Sequence, residues 1–254
     1  MHDAKNSFVI SPERDIPLLQ QVRNSRFVSH NQLFEFMECG GFDRSRNTFN
    51  WRTRRLVRSG HLSVCEGAFG VGSVVYRISK GGLALLEHHG QFTTVLHSNT
   101  RHLPHPAQVF HSLELNTIQL ALAHKNVLAG WRSEVEVASF NIISRSPYQK
   151  DYDAIVDVWV GERRACFALE YERSLKSSKR YEGIRRALEC ERQVACVLYL
   201  TAGVEILVHL VHQFESVNMN LAFANARDFT QLLLDTTVIT GYNTSGVRFS
   251  DLLQ

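Results

Sequence analysis

The sequence predicts an α+β protein of two parts, mainly helical near its N-terminal end and mixed α/β beyond. Three observations predict it. An arginine-rich helical stretch, RSRNTFNWRTRRLVRSG, precedes two short apolar runs joined by GAFGVG. Beyond residue 109, runs rich in Val, Ile, Leu and Phe alternate with amphipathic stretches, as in a mixed sheet flanked by helices. Between them, residues 93–108 are polar and hold Pro104 and Pro106, the composition of a connector.

Bulk properties set the frame. A chain of 254 residues suits one large or two modest domains, and 44% hydrophobic residues with only five prolines exclude wholesale disorder. The net charge of +3 implies no polyanion partner by itself, so the distribution of charge carries the argument. Five cysteines, odd in number and without a CxxC pair, read as reduced thiols. The N-terminus lacks a secretion signal. The apolar run VACVLYLTAGVEILVHLV is broken by Gly203 and Glu205, which argues against a membrane span, so a cytoplasmic protein is expected. No glycine-rich phosphate loop and no Ser or Cys triad phrase is present, so no nucleotide cofactor is expected.

The first domain is expected over 12–92. One helix covers about 14–24. A second starts after the cap-like Ser29 and runs to Met37, with Leu33, Phe34 and Met37 inward. The arginine helix is third, burying Phe49, Leu56 and Val57 and ending at Gly60, with a strand starting at Leu62. LSVCE and SVVYRI form the hairpin, and SKGGLALLEHHG closes the domain as a helix. Three helices plus a wing make a winged helix-turn-helix, whose third helix suits a DNA major groove. The residues expected at double-stranded DNA are Arg44, Arg46, Asn50, Trp51, Arg52, Arg54, Arg55 and Arg58. Most arginines at such interfaces meet phosphate, so Arg54 and Arg55 are expected there before base edges. Trp51 would pack on the DNA backbone or beneath the wing. A homodimer on a palindromic site is open to such a domain, although no heptad segment marks a dimer seam. His88, His89, His97, His102, His105 and His111 crowd the connector without metal-ligand spacing and read as solvated.

The second domain is expected over 109–254, after the 93–108 linker. A helix over 109–129 leads to a strand near 132–143. Strand DAIVDVWV, turn GERR and strand ACFALEYE follow, then a helix over 177–192 and strand VACVLYL. VEILVHLVHQF reads as a helix, MNLAFAN as a strand and RDFTQLLLD as a helix; the last twenty residues give no clear pattern.

The central hairpin carries the chemical signal. Asp153 opens one strand, and Glu170 and Glu172 share a face near the end of the next. A turn around 162–163 would pair Asp153 with Glu172 and Ile155 with Glu170, gathering three carboxylates at one end. Such an oxygen-rich cluster suits Mg²⁺. The plainer reading is that Ala154, Val156, Val158, Phe167, Leu169 and Tyr171 face inward while the acidic face is solvated. Opposed carboxylates repel, which favours a bound cation or cationic neighbours such as Arg173, Lys176, Lys179 and Arg180.

The phrase YDAIVDVWVGERRACFALEYERSLKSSKRYEGI resembles the metal-binding core of the PD-(D/E)XK nuclease superfamily: a strand-opening Asp, a hairpin, then an acid-x-Lys triplet before a helix. Together with the winged helix and HSLELNTIQLAL on the linking helix, the chain resembles the replication-relaxation family of plasmids and other mobile elements, over about residues 12–200. The resemblance implies a restriction-endonuclease-like α/β domain, with Asp153 and Glu170 as metal ligands assisted by Glu114; Glu172, from the carboxylate cluster on the hairpin, would be an added ligand. Two positions depart from the pattern. Tyr152 replaces a proline, and Glu172 stands where the lysine should be, leaving Lys176 or Lys179 to reach back as its substitute. The expected function is therefore a Mg²⁺-dependent DNA endonuclease or nickase targeted by its winged helix. The alternative is a non-catalytic regulator of transcription or plasmid replication whose second domain mediates dimerisation or partner contacts.

Overall fold

A computed structural model of the protein describes residues 9–65, 72–94, 105–241 and 243–253. Most of the GAFGVG tip, and His97 and His102 of the connector, lie outside them. The described chain divides into two units. One comprises the residues up to Phe92 together with 105–116; the other comprises Thr93, Thr94 and the residues from Thr117 onward. No helix among the described residues is long and apolar enough to cross a membrane.

The first unit contains α1 (Pro12–Ser25), β1 (Val28–Ser29), α2 (His30–Cys39), α3 (Arg46–Arg58), β2 (Leu62–Val64), β3 (Val75–Ile78), α4 (Lys80–His88) and the first part of α5 (Pro106–His124). Local chemistry sets its helix ends. The Ser29 hydroxyl accepts the Gln32 amide N–H while the Gln32 side chain accepts the Ser29 N–H, a capping box that starts α2. At the far end of α3, Gly60 takes φ +76°, His61 N–H donates to the Leu56 carbonyl and Gly60 N–H to that of Val57. That is the double closure of a glycine-terminated helix. The three strands form an antiparallel sheet in the order β1-β3-β2, with Val28 opposite Tyr76 and Leu62 opposite Ile78. Leu18, Leu19 and Val22 of α1, Leu33 of α2 and Phe49 and Leu56 of α3 are buried in the core. Val57 is only half-buried; Thr53 takes the inward position expected for it. Val109 and Leu113 of α5 pack with Cys65 and Val75, and Asn116 donates to the Phe27 carbonyl at 2.9 Å.

The second unit is a mixed α/β layer structure. Its strands are β4 (Leu128–Ser133), β5 (Ala154–Val160), β6 (Arg163–Glu172), β7 (Cys196–Thr201), β8 (Asn220–Asn225), β9 (Thr237–Thr240) and β10 (Asn243–Arg248). They form a seven-stranded sheet in the order β10-β9-β8-β7-β6-β5-β4. β6, β7 and β8 run parallel, joined through α7 (Ser178–Cys190) and α8 (Val204–Phe214); the other pairs are antiparallel. α6 (Glu134–Ile143), α9 (Ala226–Leu232) and α10 (Phe249–Leu252) complete the unit.

Three sequence expectations are corrected. Residues 134–143 are helix, not strand. The alternation in EVEV imitates a strand, but Ser133 and Glu136 have capping-box spacing, and Glu136 Oε2 accepts both the Ser133 N–H and its hydroxyl, at 2.9 and 2.8 Å. The hairpin register is two residues shorter than expected: Ala154 faces Leu169 and Ile155 faces Ala168, because the turn closes between Val160 and Arg163. A shift of two preserves which side chains share a face, so the acidic residues stay together while their partners change. Nor is the acidic face solvated. β6 is an interior strand, and Phe167 through Glu172 are all buried, on both faces. On the face carrying Glu170, the core comprises Tyr152, Ile155, Ala168, Tyr181, Val197, Tyr199, Leu210, Phe214 and Phe223.

Candidate functional site: a basic helix face and a buried carboxylate–lysine cluster

In the first unit, the 3.6-residue repeat sorts the arginines of α3 into two classes. Phe49, Arg52, Thr53 and Leu56 occupy the inward face and are buried. Arg52 is only 4% exposed. It donates to both oxygens of Asp43, at 3.1 and 3.3 Å, and to Asp15 at 3.1 Å. Arg55 is intermediate, donating to Asp15 Oδ2 at 2.5 Å and to the Val9 carbonyl at 3.0 Å, with its guanidinium over the Trp51 ring. Neither is placed as the sequence suggested. Arg52 is withheld from any partner outside the protein, because its position follows Phe49 by three residues and so lies on the core face. The two aspartates that hold it were not foreseen.

The outward face is different in kind. Asn47, Trp51, Arg54 and Arg58, at i, i+4, i+7 and i+11, are all exposed, Trp51 by 61%. Arg44, in the turn before the helix, and Arg46, at its start, are exposed too. Arg46 donates to Asn31 and lies over the Phe34 ring at 4.6 Å. No acidic residue occurs in α3, and Arg44, Arg54 and Arg58 make no ion pair among the described residues. Asn50 sits at the edge of this face. Its Oδ1 pairs with His30 Nε2 at 2.8 Å, and His30 Nδ1 pairs with the Tyr76 hydroxyl at 3.0 Å. Burial pulls the His30 imidazole below its ordinary range; the Asn50 bond opposes that, and Arg46 and Arg54 reinforce it.

The second unit gathers its charges at the carboxyl end of β6. Continued by one pair, the register sets Asp153 across from Glu170, and Asp153 Oδ2 accepts the Tyr171 backbone N–H at 2.7 Å. Glu170 is 5% exposed, with Oε2 at 2.6 Å from Lys150 Nζ and Oε1 buried without a hydrogen-bond partner among the described residues. Glu172, also buried, pairs with Lys176 four residues on. Tyr199 lies beside Glu170 on the parallel neighbour, with its hydroxyl buried and unpartnered among the described residues. Burial pushes the Glu170 carboxyl up; Lys150 opposes this and Asp153 adds to it. Burial likewise pulls the Lys176 ammonium down to about 8, against Glu170. An amine this close to neutrality can take up and return a proton under mild conditions.

The three expected carboxylates are not brought to one point. Glu172 is engaged by Lys176, and among the described residues no group of three His, Cys, Asp or Glu side chains is arranged to hold a metal ion. Asp153 and Glu170 do form a pair, and the unpartnered Glu170 oxygen is a vacant hard donor beside it. Mg²⁺ is commonly held by one or two carboxylates with water and substrate phosphate completing its shell, so the pair fits that ion without a third ligand. Glu114 lies half-buried on α5, in the first unit. Lys179 is exposed in the first turn of α7. Lys150 precedes the hairpin, so a motif whose lysine follows the second strand does not point to it.

No family model and no curated protein matches the chain. Among solved structures, restriction endonuclease FokI aligns over 87% of this chain and 43% of its own, at 10% identity and a TM-score of 0.30. FokI bound to DNA aligns over 91% and 45%, at 11% identity and a TM-score of 0.27. The chain thus spans less than half the length of either, and at such scores the fold rests on the strand order and register given above.

Proposed function

We propose that the protein binds double-stranded DNA through the first unit, a winged helix-turn-helix with α3 as its recognition helix, and that the second unit is a nuclease-like domain acting on the DNA so bound. The observation that carries the DNA reading is the outward face of α3, where Asn47, Trp51, Arg54 and Arg58 line one acid-free stripe. Guanidinium groups there can neutralise phosphates or fork onto guanine edges, and the indole can cover a sugar.

For the second unit, support comes from the Asp153–Glu170 pair at the carboxyl end of an interior strand, where open α/β sheets bind ligands. These two residues would hold Mg²⁺, which supplies charge to a phosphate oxygen and acidifies a water when bound. Lys176 is suited to exchange the proton. Phosphodiester hydrolysis consumes one water, breaks one P–O bond and leaves a phosphate monoester and a hydroxyl. A second reading, a non-catalytic regulator on a mobile element, is favoured by one observation: Lys150 and Lys176 already neutralise Glu170 and Glu172 within the chain.

Incubation of supercoiled plasmid with the protein and Mg²⁺ or Mn²⁺ tests the proposal. Nicking by the wild type that disappears in Asp153→Ala/Glu170→Ala is the expected result. Plasmid bound in a salt-sensitive manner but left intact would select the regulator.

A further inference from the structure

Between α6 and β5 the chain is fastened on both sides of Lys150. Asn141 of α6 accepts the Tyr148 N–H at 2.8 Å and donates to the Lys150 carbonyl at 3.3 Å and to Asp151 at 2.8 Å. From the end of α7, Glu191 Oε2 accepts the Gln149 N–H at 2.9 Å and the Tyr152 hydroxyl at 3.1 Å. Its other oxygen accepts the N–H groups of Arg192 and Gln193, at 2.8 and 2.7 Å. Glu191 is itself 5% exposed, so a buried carboxylate commits one oxygen to holding this loop and the other to its own backbone turn.

What the loop delivers is one ammonium group. Lys150 Nζ lies 2.6 Å from Glu170 Oε2 and 5.2 Å from the centre of the Tyr152 ring, with the side chain 17% exposed. A surface counter-ion needs no such fastening, and a buried ion pair is a poor source of stability compared with apolar packing. Ordering a loop from two helices to place a cation beside a half-satisfied carboxylate suits a site that receives an anion. Lys176 is held by Glu172, and Lys179 is exposed on α7.

We propose that Lys150 is the side chain that pairs with a phosphate of the DNA strand at the Asp153–Glu170 site, with Glu191 as the positioning residue that sets its loop. This rests on the nuclease-like reading of the second unit. It places the missing lysine of the hairpin motif ahead of Asp153 in the chain.

The test uses the full chain with Lys150→Met, Lys150→Gln, Lys150→Arg and Glu191→Gln, beside Asp153→Ala/Glu170→Ala. Plasmid nicking, Mn²⁺ binding by calorimetry and thermal unfolding are followed together. Lys150→Met and Lys150→Gln are expected to lower nicking at least a hundredfold while Mn²⁺ affinity stays within threefold or tightens; Lys150→Arg retains about a tenth of the rate. The Gln variant keeps a hydrogen bond to Glu170 and decides the matter if the Met variant unfolds. Glu191→Gln should slow wild-type nicking about tenfold and leave the Lys150→Met rate unchanged, since both act on one ammonium. Nicking at the wild-type rate by Lys150→Gln, with Asp153→Ala/Glu170→Ala inactive, overturns Lys150 and leaves the nuclease reading standing. Loss of Mn²⁺ binding in both the Met and Gln variants would make Lys150 a structural residue and also overturn its role. A wild type that never nicks ends the nuclease reading, and the role of Lys150 with it.

Discussion

Replacing Arg52 by methionine separates the two classes of arginine on α3. The substitution keeps most of the side-chain volume and removes the guanidinium. Asp43, 3% exposed, then loses the bonds at 3.1 and 3.3 Å that satisfy its two oxygens, while Asp15 keeps Arg55 and the Ser11 N–H. Removing one partner of a buried ion pair costs about 3–5 kcal/mol. Because only one of the two aspartates is stranded, a value near the lower end, about 3 kcal/mol, is expected. For a domain of this size that corresponds to a fall in melting temperature of roughly 12–24 °C. Adding Asp43→Asn removes the stranded charge and should restore part of the loss, by about 1–2 kcal/mol. Arg54→Ala/Arg58→Ala is the opposite case. Stability should change by less than about 0.5 kcal/mol. Duplex affinity should fall at least tenfold, and the slope of log affinity against log salt should drop by about 1.8, from two phosphate contacts. Urea-dependent hydrogen exchange of the α1 and α3 amides reads the stability, and gel shift at several salt concentrations reads the binding. An Arg52→Met protein that is fully stable yet defective in DNA binding would refute the assignment of the two faces. So would an Arg54→Ala/Arg58→Ala protein with unchanged affinity.

Four further outcomes rest on particular surroundings. The folded state depresses the His30 pKa, chiefly through burial, so its contribution to stability is present above the unfolded value near 6.5 and is lost as pH falls through the lower folded value. Between pH 7.5 and 5 the wild type should therefore lose more thermal stability than His30→Gln; identical pH profiles would contradict it. Gly82→Ala should destabilise by about 1–3 kcal/mol despite improving helix propensity, since its Cβ would meet the His61 carbonyl at 2.2 Å. Gly183→Ala, inside α7 with nothing within 4 Å, should stabilise by about 0.5–1 kcal/mol in the same denaturation assay. Tyr199→Phe removes a buried, unpartnered hydroxyl and should leave stability unchanged or raise it by about 1 kcal/mol, which calorimetry would show.

Much of the fold is legible where chemistry is local. Gly60 ends α3, and Ser29 starts α2 with the help of Gln32, because each signal needs only residues a few positions apart. Ser133 and Glu136 carried an equally local signal, overridden by the alternation that follows them. The burial of Arg52 was also readable in principle from its spacing to Phe49 and Leu56. Its partner Asp15 was not, since that contact spans 37 residues. The hairpin acids were identified as a group, but the turn decides which of them meet, and a tighter turn put Asp153 against Glu170. Lys150 shows the remaining limit. Its role depends on Asn141 and Glu191, residues from two helices that no spacing rule connects to the hairpin.

The buried charges of the two units obey one rule. Arg52 with Asp15 and Asp43 could together have been an apolar set of similar volume, and Glu170 with Lys150 an apolar pair, at no loss of stability. Here each charged set ties separate elements together at defined points. Arg52 ties α3 to Asp15 of α1 and to Asp43 in the turn before it, so the stripe of Asn47, Trp51, Arg54 and Arg58 is presented at a set angle to the rest of the unit. If α3 meets DNA as proposed, that rigidity matters, because a helix free to roll by one residue would turn Arg54 away from the groove. In the second unit, Glu191 does for the Lys150 loop what Arg52 does for α3: a charge spent wholly on internal bonds fixes the segment that carries another charge, here Lys150 beside Glu170. Substitutions at Arg52 and Glu191 should broaden the local conformational ensemble, seen as faster amide exchange in α3 and in 148–152, even under conditions where the rest of each unit stays protected.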